Sequence, residues 1–249
     1  MRNGINEIRD HDPRINYRGL SASRLENLTD AVFGIAITLL IFNLTNPNSF
    51  GDLITFTKTL PAFLISITFL VLIWNEHLQF AQVYTLNDSW LITLNTLFLA
   101  LVIFYVYPLR FLMLFLTNFF FQTEVDIAIQ GDQVPLLMIY YGFVAFALYF
   151  TLFLFFYRVL SIKEKLGLSP FELFHTRAQQ QRLIIMFTVP VISIIITAII
   201  YQFSFVLASI VGGITYALYT PAIMIWHRRF KRKSEKFSAE EAGTTANDD

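Results

Sequence analysis

The chain has 249 residues, 55% of them hydrophobic and only 14% charged, where an ordinary soluble domain carries about 25%. Its 18 basic and 18 acidic residues balance to zero, so there is no excess of positive charge to hold a nucleic acid. It has no cysteine, which excludes disulfides and thiolate metal sites.

The mean hydropathy is +0.57, and the charges cluster between apolar runs of roughly 20 residues, enough to cross a hydrocarbon core about 30 Å thick. The expected fold class is therefore an all-α, multi-pass membrane protein. Residues 1–22 are polar and form an N-terminal tail without a cleavable signal. Ser23 and Glu26 have capping-box spacing, so the first helix is expected to start ahead of its membrane segment, with Arg24 in the first turn. Apolar spans are predicted at 28–44, 56–74, 90–109, 134–157, 183–203 and 206–226, making a six-helix domain over 23–226. Residues 75–89 read as a helical extension and a turn, with Asn87, Asp88 and Ser89 capping the third span. The apolar part of 110–133 either prolongs the third helix or lies in the membrane interface. The last two spans nearly touch, leaving a tight turn near Gln202 to Phe205.

Pro190 and Pro221 are expected to kink the last two helices, and Ser209, Gly213 and Ala217 stand four apart, as close helix packing requires. Residues 227–249 form a tail that is first basic and then acidic, the acidic part expected to be disordered. Basic residues set the orientation. Five lie in the N-terminal tail, five between Arg158 and Arg182 and six in the C-terminal tail, against only Lys58 and Arg110 on the opposite side. Both termini are thus expected in the cytoplasm.

The first span, LTDAVFGIAITLLIFNL, differs from the others. Asp30 is an acid inside an apolar helix, where an unpaired carboxylate costs several kcal/mol. Trp74 and His77 on the second span and Asn95 on the third reach a similar depth. Two readings of Asp30 stand: one member of a hydrogen-bonded cluster, or a cation or proton site. Further along, Ile35, Thr38, Leu39 and Phe42 recur at i, i+3, i+4 and i+7 and share a face. That stripe is either helix packing, with Thr38 bonded to the Gly34 carbonyl, or a pore face with a hydrophobic constriction. Gly34 and Ala36 leave room for close helix approach beside it.

Arg24-x-x-x-Leu28-Thr29-Asp30 followed by AVFGIAITLLI resembles the Arg-x-x-x-Phe-Ser-Asp signature of the transmembrane protein 175 family of potassium channels. Trp74-x-x-His77 is similar to that family's second motif. The likeness covers roughly residues 24–226; Leu28 and Thr29 stand where the signature has Phe and Ser. The resemblance implies a homotetramer in the bacterial plasma membrane, with the first helix lining a central pore. It implies potassium ions passing a hydrophobic filter at Ile35, continued by Thr38, Leu39 and Phe42. It also implies that Arg24, Asp30, Trp74 and His77 brace the pore helix from behind, with Asn95 the further polar group at that level.

The expected function is a potassium-selective cation channel that conducts passively and needs no cofactor. The rival reading is a secondary transporter using Asp30 and His77 as coupling groups, although no inverted repeat of the kind many transporters show is detectable. An enzyme is not expected. There is no HExxH, no Gly-x-Ser-x-Gly and no paired intramembrane acids, and His11, His175 and His227 sit in charged flanks where solvation is the simplest expectation.

Overall fold

The computed structural model describes residues 12–19, 23–42, 48–84, 88–121 and 129–245, with the side chains of Phe42, Phe121 and residues 238–245 outside that description. The described residues are helical apart from short connections. In chain order the helices are α1 (Arg24–Phe42), α2 (Phe50–Lys58), α3 (Leu60–Tyr84), α4 (Ser89–Phe121), α5 (Val134–Ser161), α6 (Lys163–Leu166), α7 (Pro170–Tyr201), α8 (Phe205–Thr215) and α9 (Tyr219–Thr245). Five segments are long and apolar enough to cross a membrane: α3, α4, α5 with the turn before it, α7, and α8 continued into α9. Helix α1 carries Arg24, Glu26 and Asp30 in its first two turns and is not one of those five, so the sixth span at 28–44 is not established by length and composition.

Local chemistry explains most boundaries. At α1 the Ser23 amide donates to Glu26 Oε2 at 3.1 Å and the Glu26 amide to Ser23 Oγ at 3.3 Å, the reciprocal cap that the sequence indicated. Ser49 and Asp52 close a second box on α2. Ser169 and Glu172 close a third on α7, with Pro170 in the first turn, where its missing N–H costs nothing. Gly167 ends α6 in the left-handed region at φ 58°, which glycine enters without a Cβ clash. The Leu91 amide donates to Asp88 Oδ1 at 3.2 Å at the start of α4; Asn87 lies outside the described residues.

Several expectations are corrected. The uncertain segment after residue 110 prolongs the helix: α4 runs to Phe121 through Pro108, whose carbonyl accepts the Tyr141 hydroxyl at 2.5 Å. Helix α2, which precedes the second span, was not foreseen. The small-residue contact lies one position away from the stripe read in the sequence. Ala208, Gly212 and Thr215 are buried, whereas Ala217 is exposed. A Cβ at Gly212 would stand 2.2 Å from Thr197 Oγ1, and the Gly212 carbonyl accepts the Ser193 hydroxyl at 2.9 Å. The α7–α8 contact is therefore built on Gly212.

Both tails also depart from expectation. The C-terminal tail is not disordered from residue 227: α9 continues to Thr245, because its aromatic residues find partners. Phe230 stacks on Phe174 at 5.5 Å, and Phe237 lies against Phe174 and Phe171 at 5.2 and 5.8 Å. The N-terminal residues 12–19 form a strap across the same end of the bundle. The Arg18 and Gly19 amides donate to the Val83 and Gln82 carbonyls at 3.3 and 2.9 Å, satisfying groups that the end of α3 leaves open. Ile15 is buried, and the Asn16 amide donates to Glu172 Oε1 at 3.0 Å. Arg18 grips both oxygens of Glu172, Nη1 to Oε1 at 2.9 Å and Nη2 to Oε2 at 3.2 Å. Arg14 lies 3.8 Å over the Phe171 ring and donates to the Ser234 carbonyl at 3.2 Å.

The core joins α1, α3, α4 and α5 through Phe33, Leu40, Leu70, Phe98, Val102, Leu152 and Phe155, all almost fully buried. Helices α7 and α8 pack on α5, and α9 packs on α7. Helix α1 thus sits at one edge of the bundle, held by α3 and α4.

Candidate functional site

Helix α1 has two chemically distinct sides. The inner side is built from Thr29, Phe33, Ala36 and Leu40, spaced i, i+4, i+7 and i+11, and all are buried. The outer side carries Leu28, Ala31, Gly34, Ile35, Thr38 and Ile41, all exposed in the protomer. Ile35 is 53% exposed, and a Cβ at Gly34 would meet nothing within 4 Å. Arg24 falls on this same outer side and is exposed. Leu39 lies at the edge of the stripe, half-buried and packed against the core. The Phe42 side chain lies outside the described residues. The Thr38 hydroxyl donates to the Ile35 carbonyl at 2.7 Å, not to the Gly34 carbonyl that the helix-packing reading had assigned it. One carbonyl of the stripe is therefore already bonded to the stripe's own hydroxyl, whose oxygen keeps its lone pairs for another donor or an ion.

Behind α1 stands a polar chain across three helices. Thr29 Oγ1 donates to the Leu25 carbonyl at 2.9 Å and accepts from Asn95 Nδ2 at 3.0 Å. With that amide nitrogen engaged, Asn95 Oδ1 pairs with His77 Nε2 at 2.8 Å, so Nε2 carries the hydrogen. His77 stacks on Phe98 at 5.2 Å and meets the edge of Phe155 at 5.6 Å. Asn95 and His77 are 1% and 6% exposed, so each bond replaces a water the site cannot admit. Asp30 is served separately, accepting from Trp74 Nε1 at 2.7 Å. One turn of α1 thus ties to α3 through Asp30 and to α4 through Thr29.

Four of the five residues expected in the polar network are therefore brought together as two adjacent pairs, Asp30 with Trp74 and His77 with Asn95. Arg24 is not: among the described residues it bonds to none of them, because it lies on the opposite side of α1. Thr29 is the member that sequence reading passed over, although its four-residue spacing from Phe33 already set it on the buried face. His175, expected to be solvated, is half-buried with Nδ1 unpartnered, whereas His227 is exposed and His11 lies outside the described residues. Further along, Arg182 holds Glu76 in a two-pronged pair between α7 and α3, Nη1 to Oε1 at 2.9 Å with Nη2 on Oε2. Arg158 joins α5 to the start of α4 through Asp88, Nε to Oδ2 at 2.7 Å. Among the described residues no cluster of His, Cys, Asp or Glu is arranged to hold a metal.

The family model described as endosomal/lysosomal potassium channel TMEM175 matches residues 24–105, the stretch that holds α1, α2, α3 and the first half of α4. A protein of Marivirga tractuosa named "Potassium channel" is 34% identical over 244 residues, covering 95% of this chain and 98% of that protein. The chain belongs to the TMEM175 family of potassium channels. A solved structure agrees: a threonine-to-alanine variant of the potassium channel MtTMEM175, in complex with a Nanobody–MBP fusion protein. It superposes with a TM-score of 0.81 at 33% identity, covering 89% of this chain and 99% of that one. This TMEM175-family chain is accordingly a multi-pass membrane protein, and the transporter reading is not favoured. His77, which that reading needs as a coupling group, is buried against Phe98 and Phe155.

Proposed function

We propose that this chain conducts potassium passively across a bacterial inner membrane, with α1 as the sixth span and pore-lining helix of a homotetramer. The observation that carries the reading is the two-sidedness of α1, an unpartnered stripe centred on Ile35 and Thr38 backed by a polar brace to α3 and α4, buried at Thr29, Asn95 and His77 and exposed at Asp30. Four copies of that stripe around an axis would form a ring of branched apolar side chains. Such a ring offers an ion no coordination, so passage depends on partial dehydration, which costs potassium less than the more tightly hydrated sodium. Thr38 lies one turn beyond Ile35 and supplies an oxygen that replaces lost water. Leu39 and Phe42 continue the wall, with Leu39 at its margin. Arg24 sits at the entrance on the pore side of the helix instead of in the brace.

The brace gives the wall its stiffness. Asp30–Trp74 and Thr29–Asn95–His77 fix the turn that precedes Ile35, so the side chain setting the constriction is carried on backbone pinned to two neighbouring helices. The basic residues at one end of the bundle set that end, with both termini, in the cytoplasm.

The test is reconstitution of the purified protein in a planar bilayer under a potassium–sodium gradient. Discrete steps reversing towards the potassium equilibrium potential support the proposal, and Thr38→Ala is expected to move the reversal potential towards zero. An unchanged reversal potential in that variant would remove Thr38 from the selectivity mechanism. A silent bilayer with proton-coupled uptake in liposomes would overturn the channel reading.

A further inference from the structure

Away from α1, the groove between α7 and α9 encloses about 720 Å³ and has an unusual vertical order. Its deep wall is aliphatic, with Ile184 and Ile185 on α7 and Ala222 and Ile225 on α9; Ile184 and Ile225 remain 41% and 52% exposed. Its middle is aromatic and fixed. Trp226 Nε1 donates to the Ala178 carbonyl at 2.9 Å, and the indole stacks on Phe230 at 5.4 Å, which in turn stacks on Phe174. Its upper rim is cationic: Arg177, Arg229 and Lys233 line it and are exposed. Among the described residues none of the three makes an ion pair, whereas Arg14, Arg18, Arg158 and Arg182 all do.

The Trp226–Ala178 bond sets the level at which both helices change character. On α7 the last charge before the apolar run is Arg182, and on α9 the charges begin directly after Trp226. A tryptophan at such a boundary marks the membrane–water interface. The three cations therefore stand at headgroup height, directly above an apolar trough at acyl-chain height.

We propose that this groove is a binding site for an anionic phospholipid, its phosphate held by Arg177, Arg229 and Lys233 and one acyl chain laid along Ile184, Ile185, Ala222 and Ile225. Charge complementarity selects the occupant. Three cations with no carboxylate partner among the described residues attract a phosphate, and a basic pocket between membrane helices is a setting in which lipid headgroups bind. A volume of this size suits a small amphiphile. Because Arg229 and Lys233 share α9 with Phe237, and Phe237 packs on the Phe171 ring that Arg14 of the N-terminal strap covers, occupancy also clamps the end of the bundle where the strap is tied. This site is separate from the pore stripe and does not depend on the conduction reading.

Trp226 serves as the reporter. The full-length protein is reconstituted in phosphatidylcholine vesicles doped with a low fraction of dibrominated phosphatidylglycerol or dibrominated phosphatidylcholine. Fluorescence quenching is read in the parent and in Trp226→Phe, the difference isolating the groove. Quenching of Trp226 is expected to be stronger with the brominated phosphatidylglycerol, and Arg229→Gln alone is expected to lower that preference about fivefold. The triple change Arg177→Gln, Arg229→Gln and Lys233→Gln should abolish it. The control triple Arg228→Gln, Lys231→Gln and Arg232→Gln removes equal charge from α9 outside the groove and should leave the preference intact. Equal loss in both triples, or no preference in the parent, would reduce the effect to diffuse attraction and overturn the proposal. A Trp226 quenched by neither lipid would also overturn it, since the groove would then be covered by protein, a second copy of this chain being the first candidate.

Discussion

The buried pair His77–Asn95 yields the sharpest prediction, because removing both partners is expected to cost less than removing either one alone. In Asn95→Leu, His77 Nε2–H loses its 2.8 Å acceptor inside a cage of Phe98 and Phe155. Thr29 keeps its 2.9 Å bond to the Leu25 carbonyl and is not orphaned. In His77→Phe, Asn95 Oδ1 loses its close donor. An unsatisfied buried group costs about 1–3 kcal/mol, and hydrogen bonds between membrane helices lie towards the lower end, at most about 1.7 kcal/mol. Each single change is therefore expected to cost about 1.5 kcal/mol. In the double variant neither orphan exists: phenylalanine retains the stack on Phe98, and leucine branches at the same carbon as the amide. Its cost should stay below about 1 kcal/mol, since replacing both partners by apolar groups is nearly neutral. The coupling is then about 2 kcal/mol, or roughly thirtyfold in the unfolding equilibrium. Titration of the purified protein with SDS in mixed micelles, followed by tryptophan fluorescence, measures all three variants. Additive losses in the double variant would refute the claim that this bond satisfies two otherwise stranded groups.

Further outcomes follow from other contacts. Gly212→Ala drives a Cβ to 2.2 Å from Thr197 Oγ1 and should lower stability by about 1–3 kcal/mol; adding Thr197→Ala, which removes that oxygen, should restore the thermal midpoint. Glu172→Ala strands Arg18 and frees the Asn16 amide, and the loss of a partner from a mostly buried pair is expected to cost about 3 kcal/mol. Limited proteolysis should then cut before residue 24 several times faster, and an unchanged cleavage rate would show that the strap is held elsewhere. The Arg14 side chain, bonded to Asp12, holds that carboxyl below its ordinary 3.8. Folding lowers this pKa, so the contact stabilises above pH 3.8 and fades as acid protonates Asp12 below it. Asp12→Asn should flatten the acid limb of the stability–pH profile; an identical limb in that variant would exclude the contribution.

The readable and unreadable parts of this chain divide along a physical line. Long apolar runs, capping boxes at Ser23 and a proline inside α7 are local signals, and the helices that carry them appear where residue order indicated. Reading 227–249 as a tail missed the packed helix in its basic part, because polar composition hid Phe230 and Phe237, whose partners Phe174 and Phe171 lie far back in the sequence. The stripe Ser209, Gly213 and Ala217 caught Gly213, where a Cβ would stand 3.1 Å from Met138 Cε on α5, but missed Gly212, the glycine against α7, because both fit the small-residue rule. Only the approach of Thr197 separates the two. At α1 the spacing set out the Ile35 and Thr38 stripe but not the buried face of Thr29, Phe33, Ala36 and Leu40, and Arg24 entered the brace only through the family resemblance. Thr29 was visible beside Asp30, but its partner Asn95 stands on α4, and no periodicity links them.

The N-terminal strap has a consequence for the way a ribosome delivers this protein. Arg18 is made early, but the carboxylate it grips is 154 residues further on. At about 5–20 residues per second, the wait between the two is roughly 8–30 s. Ser234, which receives Arg14, emerges later still. Throughout that interval the beginning of the chain has no binding partner on α7 or α9, while α1 and α3 are already available to the membrane. The strap can bond to the end of α3 early, but its ties to Glu172 and Ser234 are among the last contacts made, and they report that the final helix has arrived.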